Sequence, residues 1–271
     1  MRWNLSSRAR TLSQADAVVL SIPKSGRTWL RVFVNAYFGV KTGAAFSVNL
    51  TDQCRPGIPR IVYSHDRFES LTKGNWWDRV RGKYLVPRAQ LTSRRVILLA
   101  RDPRDAFVSY YVQITRRNHP APERVKQLAP DQLVRHRRYG INSMVAVMNG
   151  WLAEFGDQRN VTILRYESLL SDPNVEFRNV LHGIGEHEID NSTFAEALRF
   201  SAFHNMRQLE ERGAFSDKIL APRDRADRQS FKVRQGKVGG FREYLSPAGQ
   251  QYAAAALARL DPRFGYGEKS G

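Results

Sequence analysis

The stretch best suited to chemistry is Ile22-Pro23-Lys24-Ser25-Gly26-Arg27-Thr28-Trp29, where a lysine stands in a short turn between an apolar run and an amphipathic one. A strand-to-helix turn of this kind aims unpaired backbone N–H groups and the positive end of a helix dipole at one point, and Lys24 adds a mobile cation. Such a point binds phosphate-like anions. Three more reactive side chains follow apolar runs directly: His65 after Arg60 to Ser64, Arg101 after Arg95 to Ala100, and Tyr166 after Val161 to Arg165. An imidazole can accept a proton near neutral pH, and a guanidinium offers a planar fork to phosphate oxygens.

The elements that must position these residues can be read from periodicity. Ala17 to Ile22 is an uninterrupted apolar run, the mark of a buried strand, and Leu30, Phe33, Val34, Tyr37 and Phe38 then fall on one helix face. Residues 41 to 59 read as a loop. Residues 66 to 93, with Trp76 and Trp77, carry no assignable period and are expected to form an irregular wall or lid. Asp102 and Asp172 each precede a proline and read as N-caps of helices. Ile141, Met144, Val145, Met148, Leu152 and Phe155 form a helical stripe that Gly156 should cap. Asn191 to Glu211 reads as helical with a break at Ser201 to Phe203, and Ser246 with Pro247 starts a last helix whose Tyr252, Ala256, Leu257 and Leu260 should pack on the sheet.

This repetition of strand, loop and helix predicts an α/β fold, a central parallel sheet flanked by helices. Ligands of such sheets bind outside the carboxyl ends of the strands. Lys24, His65, Arg101 and Tyr166 should therefore face one crevice.

Composition bounds the rest. A chain of 271 residues with 12 prolines and no repeat is expected to form a single domain over 1–271, with 1–15 flexible. One cysteine, Cys54, rules out an internal disulfide framework, and the six histidines lack zinc-ligand spacing, so no metal site is expected. His182 and His187 read as solvated residues near a helix end. No apolar run approaches the ~20 residues of a membrane span, and MRWNLSSRAR lacks the apolar core of a secretory signal, so a cytoplasmic protein is expected. The net charge of +17 favours anionic ligands without choosing among them. From 116 to 138 basic residues outnumber acids seven to two, which reads as an exposed, solvated surface.

Taken in order, PKSGRTWL at 23 to 30, ARDPRDAFVSYY at 100 to 111, RYESLLSDP at 165 to 173 and RQGKVGGFR at 234 to 242 resemble the motifs of the sulfotransferases that use PAPS, 3′-phosphoadenosine 5′-phosphosulfate. The resemblance spans about Ala17 to Arg242. It implies a P-loop nucleotide-kinase-like three-layer architecture, with PAPS as donor and PAP as product. Lys24 matches the lysine at the bridging oxygen, and Ser25, Gly26, Arg27 and Thr28 match the rest of the 5′-phosphosulfate loop. Arg101 and Ser109 match the pair on the 3′-phosphate, which Arg234, Gln235 and Gly236 would close from a mobile loop over 212–242. Trp29 and Phe203 match the aromatics flanking adenine, Ser201 stands beside them, and Tyr166 matches the tyrosine near the base. His65 matches the general base, with Asp66 and Glu69 in reserve because some glycan members use a carboxylate.

Arg27, Gln235 and Phe241 depart from the residues of many animal members, and nothing after RQGKVGGFR resembles their dimerisation motif, so no oligomeric state is assigned. The acceptor implied is a hydroxyl on a glycan, lipid or small alcohol. Two other readings use the same residues. A phosphoryl kinase would need a strand-end acid for Mg²⁺ where Arg101 stands. A basic polymer-binding protein would need aromatics interleaved among the charges of 116 to 138, and they are not, so no nucleic acid partner is expected.

Overall fold

A computed structural model describes residues 12–73, 75–116, 119–211 and 238–266. Four strands, β1 (Ala17–Ser21), β2 (Ile61–Ser64), β3 (Arg95–Ala100) and β4 (Val161–Arg165), form one sheet in the order β2-β1-β3-β4. Every pairing is parallel. The order reverses between β1 and β3, and such a reversal opens a crevice at the carboxyl edge because the crossovers on either side leave in opposite directions.

Successive side chains of a strand point to opposite faces, so each face has its own core. Ala17, Val19, Ile97 and Leu99 bury against α1 (Arg27–Thr42), α10 (Pro173–Ile184) and α11 (Asn191–Ser201). Val18, Leu20, Val96 and Leu98 bury on the other side against α5 (Pro103–Arg116) and α8 (Ile141–Phe155). In α1 the spacing of Leu30, Phe33, Val34 and Tyr37 delivers all four to the core, where Phe33 stacks on Phe177 at 4.0 Å. Truncating a fully buried Phe costs about 3–5 kcal/mol, so Phe33→Ala would loosen the helix that begins at the lysine turn.

Short helices fill the stretch between β2 and β3 that lacks a readable period: α2 (Arg67–Thr72), α3 (Trp76–Val80) and α4 (Arg88–Leu91). None exceeds six residues, too short for a hydrophobic stripe to register. The basic stretch is not merely a solvated surface. Its α6 (Glu123–Lys126) and α7 (Pro130–Leu133) seat Val125, Leu133 and Val134 in the core while their charged neighbours stay outside.

At the carboxyl edge of the sheet β4 runs into α9 (Tyr166–Ser171), and α11 is followed after one residue by α12 (Phe203–Glu211). Gly156 does end α8, but with right-handed φ −62°; glycine suits it because a Cβ would meet the Leu152 carbonyl oxygen at 2.7 Å. The last helix, α13 (Pro247–Leu257), has α5, α7 and α8 as its principal neighbours, so it joins the core as an outer helix rather than lying on the strands. No helix among the described residues is long and apolar enough to cross a membrane.

Candidate active site

β1 ends at Ser21, and the chain turns through Lys24 at φ +68° and Gly26 at φ +89° before α1 begins at Arg27. Only glycine adopts the second angle without strain, and a Cβ there would sit 2.6 Å from the Tyr166 ring. The glycine thus lets the Tyr166 ring pack close against the loop. As N-cap, Gly26 has no side chain to occupy the first N–H groups of α1, and no acidic residue stands in that first turn. The partial positive charge at this end of the helix is therefore left for an external anion.

Arg101, on the neighbouring strand end across the reversal point, donates from Nη1 to the Lys24 carbonyl oxygen at 2.9 Å. Its guanidinium lies over the Tyr166 ring, 4.3 Å from the centroid. Trp29 meets Tyr166 edge-on at 6.1 Å, and its indole N–H donates to the Ser201 carbonyl at 2.9 Å. Arg101, Tyr166 and Trp29 are thereby held by one another and by the Lys24 and Ser201 carbonyls.

His65 follows β2, on the other side of β1. Its Nδ1 is 2.7 Å from the Ser21 carbonyl oxygen, and since a carbonyl only accepts, Nδ1 carries the proton and Nε2 keeps its lone pair. Burial pushes the His65 pKa well below its ordinary value, and the nearby Arg27 charge adds to this, so the ring is neutral at pH 7. Asp66, next in the chain, is otherwise engaged. It is buried at φ +46°, its carboxylate accepting from the Val86 N–H at 2.7 Å and the Trp151 indole at 2.9 Å. It holds the walls together and does not line the cavity, whereas Glu69 does.

These groups open on one cavity of about 400 Å³. Lys24, His65, Arg101 and Tyr166 line it together, as expected of one crevice, and Gly26, Arg27, Thr28, Trp29, Ser109 and Phe203 line it as well. Ser25 and Ser201 are wholly buried behind it: the Ser25 hydroxyl donates to the Ile22 carbonyl at 3.1 Å, and Ser201 serves Trp29 through its backbone. Arg234, Gln235 and Gly236 lie outside the described residues. Trp76 and Trp77 form no wall of the cavity; both are exposed.

Two parts of the site escaped sequence reasoning. The first is Asp105, buried, with its two carboxylate oxygens accepting from the backbone N–H of Gly239 at 2.7 Å and of Phe241 at 3.0 Å. Arg104 stacks on Phe241 at 4.5 Å while pairing with Asp102 at 2.7 Å. The end of the RQGKVGGFR motif is thus pinned to α5, so residues 239–241 are held rather than mobile. The signal was present as the second acid of ARDPRD, but its use depends on a partner 134 residues away.

The second is the part of the lining made by Thr72, Lys73, Tyr110, Gln113 and His119, next to the reserve base Glu69. Lys73 pairs with Glu69 at 3.1 Å. His119 accepts the Ala121 N–H at Nδ1 (3.2 Å), and its pKa falls to about 4, mainly through burial with Lys73 and Lys126 adding to it, so it stays neutral. Its only mark in the sequence was a place inside the basic stretch, which reads as solvated surface.

Residues 14–259 match the model of the sulfotransferase domain family. The chain is 24% identical over 247 residues to cytosolic sulfotransferase 17 of Arabidopsis thaliana, covering 86% of this chain and 70% of that one. It is also 24% identical over 247 residues to the 3-alpha-hydroxysteroid sulfotransferase of Cavia porcellus, covering 86% and 79%. In three dimensions it resembles mouse sulfotransferase SULT7A1, whose crystal structure is complexed with PAP: TM-score 0.61 at 18% identity, covering 92% of this chain and 88% of that one.

Proposed function

The chain belongs to the sulfotransferase domain family and is a PAPS-dependent enzyme, and from that premise we propose that it transfers the sulfuryl group to a hydroxyl of a polar acceptor, with His65 as general base and Lys24 on the leaving phosphate. The observation that carries this reading is the opening of Lys24, Arg101 and His65 onto the same cavity. The lining fits the donor. Gly26 puts no side chain over the first N–H groups of α1, the first turn of α1 lacks an acid, and Trp29, Tyr166 and Phe203 offer aromatic surface for a base.

When bound, PAPS supplies an activated sulfuryl group whose bond to the 5′-phosphate oxygen breaks as a bond to the acceptor oxygen forms. Lys24 and the N-terminal N–H groups of α1 hold the 5′ end, and the lysine ammonium neutralises charge growing on the departing oxygen. Arg101 and Ser109 hold the 3′-phosphate, a group that separates this nucleotide from ATP. His65 takes the acceptor hydroxyl's proton at Nε2, and the Ser21 carbonyl stabilises the imidazolium through Nδ1–H. Positioning and charge stabilisation carry the reaction, as they do in phosphoryl transfer.

The acceptor side favours hydroxyl-rich molecules over flat apolar ones. Glu69, Thr72, Lys73, Gln113 and His119 offer an acceptor's hydroxyls donors and acceptors in several directions, beside the apolar Phe68, Val108 and Met206. The experiment is transfer of labelled sulfate from PAPS across a panel of sugars, amino-alcohols, phenols and sterols. Turnover confined to phenols and sterols would refute the acceptor reading, and undiminished turnover by Lys24→Ala would refute the mechanism.

A further inference from the structure

Seven large hydrophobic side chains are exposed among the described residues, and four of them, Trp76, Trp77, Val80 and Leu85, fall within ten positions. The two indoles are 65% and 60% exposed and touch edge-on at 4.4 Å. Scattered exposed apolar residues need no explanation, but a cluster holding two tryptophans does. The cluster is built, not frayed. Asn75 and Asp78 form a capping box at the start of α3, and Arg79 donates to the Ser70 and Leu71 carbonyls at 3.1 and 3.2 Å. Those bonds pin α3 to the end of α2, whose Thr72, with the adjoining Lys73, lines the acceptor end of the cavity.

The surroundings are cationic. Lys73, Arg81, Lys83 and Arg88 flank the tryptophans in the chain and are exposed; Lys73, Lys83 and Arg88 each also pair with an acid, Glu69, Asp78 and Glu154, and Arg124 and Arg138 join Arg79 in the positive field on Tyr139. A second copy of the chain would bring another net charge of +17 against this rim, so self-association through it is opposed. Indole rings seated at headgroup depth with a surrounding ring of Lys and Arg are what an anionic bilayer surface accepts.

We propose that Trp76, Trp77, Val80 and Leu85, with the surrounding basic side chains, dock the protein on anionic lipid bilayers, turning the acceptor end of the cavity toward the membrane surface. This surface is distinct from the transfer reaction and stands or falls separately. Its occupant is the headgroup region of a bilayer bearing net negative charge.

Vesicle flotation tests it, using phosphatidylcholine alone and phosphatidylcholine mixed with phosphatidylglycerol, with far-UV circular dichroism and melting temperature confirming that each variant is folded. The wild-type chain should float with the anionic vesicles and not with the neutral ones, and added salt should weaken binding. Trp76→Ser/Trp77→Ser should lower vesicle affinity by about tenfold or more, and Arg81→Glu by about fivefold, with labelled-sulfate turnover on a soluble acceptor unchanged. Equal binding by the tryptophan variant, or no preference for anionic vesicles, would overturn the proposal. So would light scattering that shows a dimer which the variant dissociates, or a loss by the variant of soluble heparin binding instead of vesicle binding.

Discussion

Replacing His65 by Asn tests the centre of the proposed mechanism, because the asparagine amide can still donate to the Ser21 carbonyl but presents no nitrogen lone pair to the acceptor. A positioned general base contributes about 10²- to 10⁴-fold, which at 1.36 kcal/mol per decade is about 3–5 kcal/mol of the barrier. The turnover number for labelled sulfate should fall by that factor. The dissociation constant for PAP, measured by calorimetry, should stay within about twofold, since His65 follows β2 and the groups proposed to hold the nucleotide follow β1, β3 and β4. The pH profile adds a second readout. Burial holds the folded His65 pKa below the ordinary value of about 6.5, so the base remains unprotonated and the rate flat as pH falls past 6.5, with the acid limb lower still. The same shift has a sign for stability: the unfolded chain binds this proton first, so the contribution is complete above about pH 6.5 and is lost as pH drops toward the folded value. Turnover by His65→Asn above about a tenth of wild type, or a wild-type acid limb at or above 6.5 that vanishes in the variant, would refute the reasoning.

Lys24 sits at φ +68°, so Lys24→Gly should be more stable than Lys24→Ala by about 1 kcal/mol in denaturant titration while both lose about 100-fold or more in turnover. Gly26→Ala meets both a left-handed φ and the Tyr166 ring at 2.6 Å; it should lower stability by about 1–3 kcal/mol and PAP affinity by about tenfold or more, read by thermal melts with and without PAP. Asp105→Ala strands two backbone donors of the RQGKVGGFR segment and should weaken PAP binding by calorimetry more than it changes turnover at saturating PAPS, with a stability loss of about 2–3 kcal/mol.

Sequence patterns exposed most of the layout because they are local. A buried strand is an apolar run, a helix is a repeat, and Asp172 and Ser246 do cap the helices they precede by accepting from Val175 and Gly249. Knowing that strands of one sense share an edge was enough to bring Lys24, His65, Arg101 and Tyr166 to one crevice. What stayed hidden was whatever depends on a partner far along the chain. Asp66 and Glu69 look alike in sequence, three residues apart, yet Trp151 and the Val86 N–H commit the first to the framework while the second faces the cavity. His119 reads as surface because its neighbours are charged, yet it is buried edge-on against Tyr110 of α5. The identity of each reactive group and the strand end that carries it were therefore written in the order of residues. Its protonation state, its tautomer and the direction it faces were decided by contacts that only the folded chain makes.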